Sequence, residues 1–231
     1  MTSQSIEPKP DGRRTAAAAR RRRREKEILD ATRALFDARG VRYAQIEDIA
    51  GAVGINRAII YRHFSGKEEL FALTLVGYLE QLATRLKDED AETASPEDRL
   101  RALTATFVDY GLEYPAFVDC ALELMRRTGP ELLDEISEGA MYRLGRGIAT
   151  CLATLAGTIR AGVDAGVFHT DDVDLLANTL YASGLGGMQL ARVGMLVKEA
   201  APGIPTTARL SAEQVKDHLI AASVAMAVGA R

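Results

Sequence analysis

The stretch Gln45 to Lys67, QIEDIAGAVGINRAIIYRHFSGK, constrains the fold of this chain more than any other, because two short helical patterns meet there at one glycine. In the first, Ile46, Ile49, Ala50 and Val53 recur at helical spacing; in the second, Ile55, Ile60 and Phe64 do, with polar residues on the other faces. Gly54 lies between them. A tight turn joining two helices at a large angle needs a residue that tolerates positive φ, which glycine does without steric cost. Ala50 is small where the two helices must approach, and Ile60 is placed to plug the core behind the second. The pattern predicts a helix-turn-helix; an ordinary pair of buried helices joined by glycine is the plainer alternative.

Charge favours the first reading. Residues 1–67 hold 15 Lys and Arg against 8 Asp and Glu, a net of +7, whereas residues 68–231 hold 14 against 24, a net of −10. The whole-chain charge of −3 hides this asymmetry, which is expected when one end of a protein meets a polyanion. Arg20, Arg21, Arg22, Arg23 and Arg24 follow Ala16–Ala19 within the basic end. Near a helix N-terminus five arginines oppose the macrodipole, and a phosphate backbone would relieve that. Such a run reads either as an arm reaching into a DNA minor groove or as the solvated start of the next helix.

Ala, Leu, Arg and Glu dominate, and no sustained alternation of Val, Ile and Thr appears, so the fold class expected is all-α. An N-terminal three-helix helix-turn-helix domain would precede a larger helical domain. The boundaries expected are a disordered tail over residues 1–19, a DNA-binding domain with its basic arm over 20–70, and a second domain over 71–231. Cys120 and Cys151 lie on apolar helical stretches and read as reduced core residues. No apolar run reaches the roughly 18 residues of a membrane span, so a soluble, cytoplasmic protein with no membrane partner is expected.

Glu25 to Arg39 predicts a first amphipathic helix with Ile28, Ala31, Leu35 and Phe36 inward. Ser65-Gly66-Lys67-Glu68 reads as a capping box opening a fourth helix to about Leu86. Ser95-Pro96 starts a helix to Tyr114, and Pro115 starts one to about Arg127. Pro130 to about Asp164 reads as one long helix, and Asp171 to about Val197 as the next, capped by Thr170. A Pro-rich loop, Ala201 to Thr207, leads to a last helix opened by a Ser211–Gln214 capping box and ending near Val228.

Ile46-x-x-Ile49-Ala50, Gly54-Ile55, Tyr61-Arg62-His63-Phe64 and Lys67-Glu68-Glu69-Leu70-Phe71 together resemble the TetR family of transcriptional regulators. The resemblance covers roughly Glu25 to Phe71; beyond it, only the architecture is similar. It implies a homodimer whose recognition helices, Asn56 to Phe64 in this chain, enter successive major grooves of a double-stranded, palindromic operator. Arg57, Ala58, Ile59 and Arg62 then occupy positions facing base edges. Arg57 and Arg62 could fork onto guanine, while Ala58 and Ile59 offer apolar contact to a thymine methyl. Gln45, Tyr61, His63 and Lys67 match positions that contact the DNA backbone. Read as plain structure instead, Ile59 and Tyr61 are partly core and His63 is a surface histidine. The chain departs from the family pattern at Ala44-Gln45, where a Thr pair is usual, and at Ile59, where Thr or Ser is common. Its operator is therefore expected to differ.

The resemblance further implies that the second domain binds a small molecule whose identity is not written in the sequence. Phe107, Tyr110, Tyr114, Phe117, Met125, Met141 and Tyr142 lie on helices that would line such a pocket, or else build the core. Sparse charge on Ala102–Val108 and Ile148–Ile159 points to an apolar ligand. For the dimer seam, two late helices offer Leu176, Leu180, Leu185 and Met188, and Val215, Leu219, Ala222 and Met226, with small residues such as Ala182, Gly184, Gly186, Gly187 and Ala221 for close packing. Packing within one subunit is the alternative.

No cofactor, metal or catalytic centre is expected. Histidine occurs only at 63, 169 and 218, and neither a GxSxG elbow nor a P-loop is present. The Gly184-Leu185-Gly186-Gly187 cluster lacks the strand–turn–helix setting of a nucleotide fingerprint. The function expected is a ligand-released repressor, with a DNA-binding dimer lacking an inducer as the rival.

Overall fold

The computed structural model describes residues 12–91 and 93–229. Ten α-helices follow one another there: α1 (Gly12–Arg39), α2 (Ile46–Val53), α3 (Arg57–His63), α4 (Lys67–Glu89), α5 (Pro96–Glu113), α6 (Pro115–Met125), α7 (Gly129–Glu135), α8 (Glu138–Asp164), α9 (Val173–Val193) and α10 (Ala212–Val228). A two-stranded antiparallel hairpin, β1 (Met195–Ala201) and β2 (Ile204–Arg209), separates α9 from α10.

The helical fold class stands, with α1 to α3 forming the head and the remaining helices the body. One core runs through both, because α4 is buried on nearly every side from Glu69 to Leu79 and belongs to each. Ile28, Phe36, Ile49, Ile60 and Phe64 from the head join Leu70, Tyr78, Leu79 and Phe117 in a single buried cluster. At the junction the Phe36 and Phe71 rings pack edge to face, centroids 4.8 Å apart. A smaller cluster of Leu100, Ile159, Phe168, Leu180 and Val224 knits α5, α8, α9 and α10 together at the far end.

Several boundaries differ from the sequence reading. The tail expected over 1–19 is helical from Gly12, and its residues 1–11 lie outside the described residues. The single helix expected over Pro130–Asp164 is two: Ile136 is extended (φ −126°) and Ser137 caps α8 by accepting from the Ala140 amide. α9 stops at Val193 because Gly194 turns left-handed (φ +68°), and the chain then forms the hairpin where helix and loop were expected. Its turn contains Gly203 at φ +77°. Asp172, rather than Thr170, caps α9 through the Leu175 amide. The capping box at the start of α4 is also displaced: Glu69, not Glu68, reaches back to the Ser65 amide (2.8 Å) and hydroxyl.

Candidate DNA-binding head and ligand cavity

Gly54 ends α2 in the left-handed region (φ +70°), its amide reaching back to Gly51, while the Ile55 amide bonds Ala50. This closes the turn tightly enough for Ala50 and Ile60, 4% and 1% exposed, to seal the angle between α2 and α3. Asn56 caps α3, its side-chain oxygen accepting from the Ala58 amide at 2.9 Å. At the start of α2, where Ala44-Gln45 departs from the usual pattern, Ala44 is buried and the Asp48 carboxylate accepts from the Gln45 amide at 3.2 Å. Asp48 thus supports a helix start that looked weakly capped.

On α3, Arg57, Ala58, Tyr61 and Arg62 are exposed, and Gln45 is exposed at the head of α2. Ile59 is half-buried, so only part of its side chain remains on offer. Arg57 does not float free: its guanidinium pairs with Glu47 on α2 at 3.0 Å. The Glu47 carboxyl is held below its usual range by a backbone hydrogen bond and by Arg57. His63 is half-buried, its Nδ1 sealed without a hydrogen-bond partner, and burial, then Arg21, push its pKa down. Lys67, at the start of α4, rests over the Phe71 ring at 5.0 Å.

Arg20 to Arg23 are exposed on α1 and Arg24 is half-buried; Arg23 and Arg24 both pair with Glu27. The five arginines are thus helical, where an extended arm was one of the two readings. The Arg21 and Arg24 charges reach His63 on α3, so the basic run lies on the same side of the head as the end of α3.

Most of the ligand residues expected from the sequence lie outside the apolar cavity of the body. Tyr110 and Phe117 are fully buried in the main core. Arg33 lies over the Tyr78 and Tyr114 rings at 4.2 and 5.3 Å, and Arg85 over Tyr110 and Tyr114 at 5.0 and 5.5 Å. Those tyrosines are therefore occupied by a cation–π stack that joins α1, α4 and α5. Met141 packs on the main core, while Met125 (52% exposed) and Tyr142 (69%) face outward. Of the seven, only Phe107 lines the apolar cavity, which lies among α4, α5, α8, α9 and α10 and measures about 70 Å³.

That cavity also claims half of the expected dimer seam. Leu180, Leu219, Ala222 and Met226 line it; Leu185, Met188 and Val215 are buried within the subunit, and Leu176 packs on the smaller core cluster. Two of the small residues also work inside the subunit. A Cβ on Gly184 would lie 2.5 Å from the Phe107 ring, and one on Gly187 would lie 2.8 Å from Leu219. The outward stripe of α9 is instead Leu175, Thr179, Ala182, Gly186, Leu190 and Val193, which recurs every three or four residues and is exposed apart from the half-buried Ala182. Both sides of α9 carry apolar residues, so its sequence pattern alone does not fix which side turns outward.

A glycine-turned helix pair presenting an exposed, partly cationic second helix, on a head that shares its core with a helical body, defines a DNA-binding protein of the helix-turn-helix class. Residues 28–74 match the family model of the bacterial regulatory proteins, tetR family. It is 39% identical over 77 residues to the transcriptional repressor KstR2 of Mycobacterium tuberculosis, a match covering 33% of this chain and 38% of that one. With KstR2 of Rhodococcus jostii it shares 29% identity over 150 residues, covering 64% of this chain and 70% of the relative. The fold is similar to that of RolR in its complex with resorcinol (TM-score 0.66, 18% identity, 91% and 90% of the two chains covered). Among the described residues no helix is long and apolar enough to cross a membrane.

Proposed function

We propose that the protein is a transcriptional repressor that binds a palindromic operator as a homodimer and is released from it by a small apolar ligand. The observation that carries this reading is the double membership of α4. Lys67 opens that helix beside the DNA-facing head, while Leu82 and Leu86 of the same helix line the cavity. At 1.5 Å per residue the two ends of this lever are about 22–28 Å apart. A ligand that widens the cavity shifts α4 and with it the head; by linkage, ligand and operator then weaken each other's binding. Repression is the activity named for both KstR2 relatives.

Base reading is assigned to Arg57, Ala58, Arg62 and the exposed part of Ile59, and backbone contact to Gln45, Tyr61, His63, Lys67 and the basic run Arg20–Arg24. The dimer seam is assigned to the exposed stripe of α9, where Gly186 and Ala182 permit close helix packing. A protein acting on operator DNA works in the cytoplasm.

Selection of bound sequences from random duplex DNA tests the reading. An inverted repeat with half-sites spaced by whole helical turns is the expected product. Recovery of no preferred sequence would refute it. A thermal-shift screen then separates the ligand-released regulator from a dimer without an inducer, for which no compound both stabilises the protein and frees the DNA.

A further inference from the structure

The cavity among α4, α5, α8, α9 and α10 has no Lys, Arg, Asp, Glu or His in its wall. A charged ligand group placed there would lose its hydration without gaining a counter-charge. Leucine is the commonest residue of the wall, and the Phe107 and Tyr181 rings meet within it, centroids 5.7 Å apart. Among its polar groups, Thr104 donates to the Leu100 carbonyl (2.8 Å), Ser223 to Ile220 (2.8 Å) and the Cys151 thiol to Leu79 (3.3 Å). Their hydrogens are committed within the protein, and Ser183 is exposed.

Tyr181 is different. Its hydroxyl makes no hydrogen bond to any described residue, yet it is not sealed into the protein as His63 Nδ1 and Gln189 Oε1 are. Burial pushes its pKa well up, so it stays a neutral phenol with a proton to donate. Because Tyr181 lines the cavity, its hydroxyl can donate to an acceptor on an occupant. At about 70 Å³ the cavity has room for several waters, one of which needs roughly 10–15 Å³ in the same measure. A small molecule fits this space, whereas a much bulkier one would have to force the helices apart.

We infer that the cavity takes a small, uncharged, largely hydrocarbon molecule that presents one oxygen acceptor, a carbonyl or hydroxyl, to Tyr181. This rests on the cavity being the regulator's ligand site and adds the chemical class of the ligand. Calorimetric titration of the full chain at pH 7 with 2-decanone, 1-decanol and sodium decanoate tests it, with release of selected operator DNA measured separately. The ketone and the alcohol should bind, and decanoate at least tenfold more weakly. Tyr181→Phe, which preserves shape, should weaken 2-decanone binding about 2- to 12-fold. The outward-facing Tyr142→Phe should leave that binding unchanged. Equal binding of decanoate, an unaltered affinity in Tyr181→Phe, or failure of both uncharged probes to bind would overturn the inference. Decanoate binding that also frees DNA would overturn the ligand class and leave the regulator standing. Tyr181-dependent binding of 2-decanone without DNA release would uphold the ligand class and refute release by this ligand.

Discussion

The carboxylate of Glu69 accepts a hydrogen bond from the Ser137 hydroxyl at 2.7 Å, tying the first turn of α4 to the cap of α8. The same carboxylate holds the Ser65 amide and hydroxyl. The joint between α3 and α4 and the break between α7 and α8 are therefore one unit, built around a side chain only 6% exposed. Ser137→Ala removes one donor to a buried charge together with the cap of α8, and should cost about 1.5–3 kcal/mol. Denaturant midpoints measure it, with Ser137→Thr as the variant that keeps the hydroxyl. A loss below about 0.5 kcal/mol would show that the bond carries nothing.

Acid should find the same place. Burial pushes the Glu69 carboxyl up, but the hydrogen bonds from Ser65 and Ser137 outweigh it, so its pKa falls below the ordinary 4.5. A carboxylate depressed in this way contributes stability that is complete above its unfolded pKa and is lost as pH falls through the lower folded value. Glu69→Gln should therefore flatten the loss of stability below about pH 4.5, measured as urea midpoint against pH. An unchanged acid limb would contradict this.

On the head, position and reading should separate. Lys67→Ala is expected to weaken binding to every DNA sequence and reduce the salt slope by about 1, whereas Arg57→Ala should change sequence preference. Competition binding at several salt concentrations distinguishes them. Equal, sequence-independent losses in both variants would undo the division of labour.

Two glycines of α8 should respond to alanine with opposite signs. A Cβ on Gly162 would lie 2.0 Å from the ring of Phe168, itself 1% exposed, so Gly162→Ala should destabilise by about 1–3 kcal/mol. Gly145 is exposed and nothing lies near its added Cβ, so Gly145→Ala should stabilise by roughly 0.5–1 kcal/mol. Thermal unfolding of the two variants side by side gives the comparison.

The α9 stripe is testable by charge. Leu190, 42% exposed, lies between Gly186 and Val193 on the outward face. Leu190→Glu should shift the proposed dimer to monomer in sedimentation at micromolar concentration while retaining its helical circular dichroism. An unaltered dimer would place the seam elsewhere.

How far the sequence could be read follows from where each signal resides. Gly54, Asn56, Ser95-Pro96 and Ser211–Gln214 act through their own backbone neighbourhood, and each marks a boundary found in the structure. Ser137 looked like one more polar residue inside a long helix, because part of what fixes it there is Glu69, far away in the chain. The hairpin was missed although Pro202-Gly203 between two apolar runs is a turn signal, since helical spacing was extended past Gly194. For the cavity, aromatics were favoured, yet Tyr110 and Tyr114 are taken up by Arg33 and Arg85, and leucines from five helices do the lining. No local pattern records which arginine will cover which ring.

The pairing of Arg57 with Glu47 gives the head a threshold of its own. A guanidinium paired with a carboxylate 3.0 Å away gives up a small, solvent-screened attraction on leaving it. Leaving also strands Glu47, about as exposed as Arg57 itself, in front of a negatively charged duplex. A base edge that accepts two hydrogen bonds can compensate for that repulsion; a poorer contact cannot. On the proposed reading, Arg57 thus begins every encounter with its wrong answers already penalised.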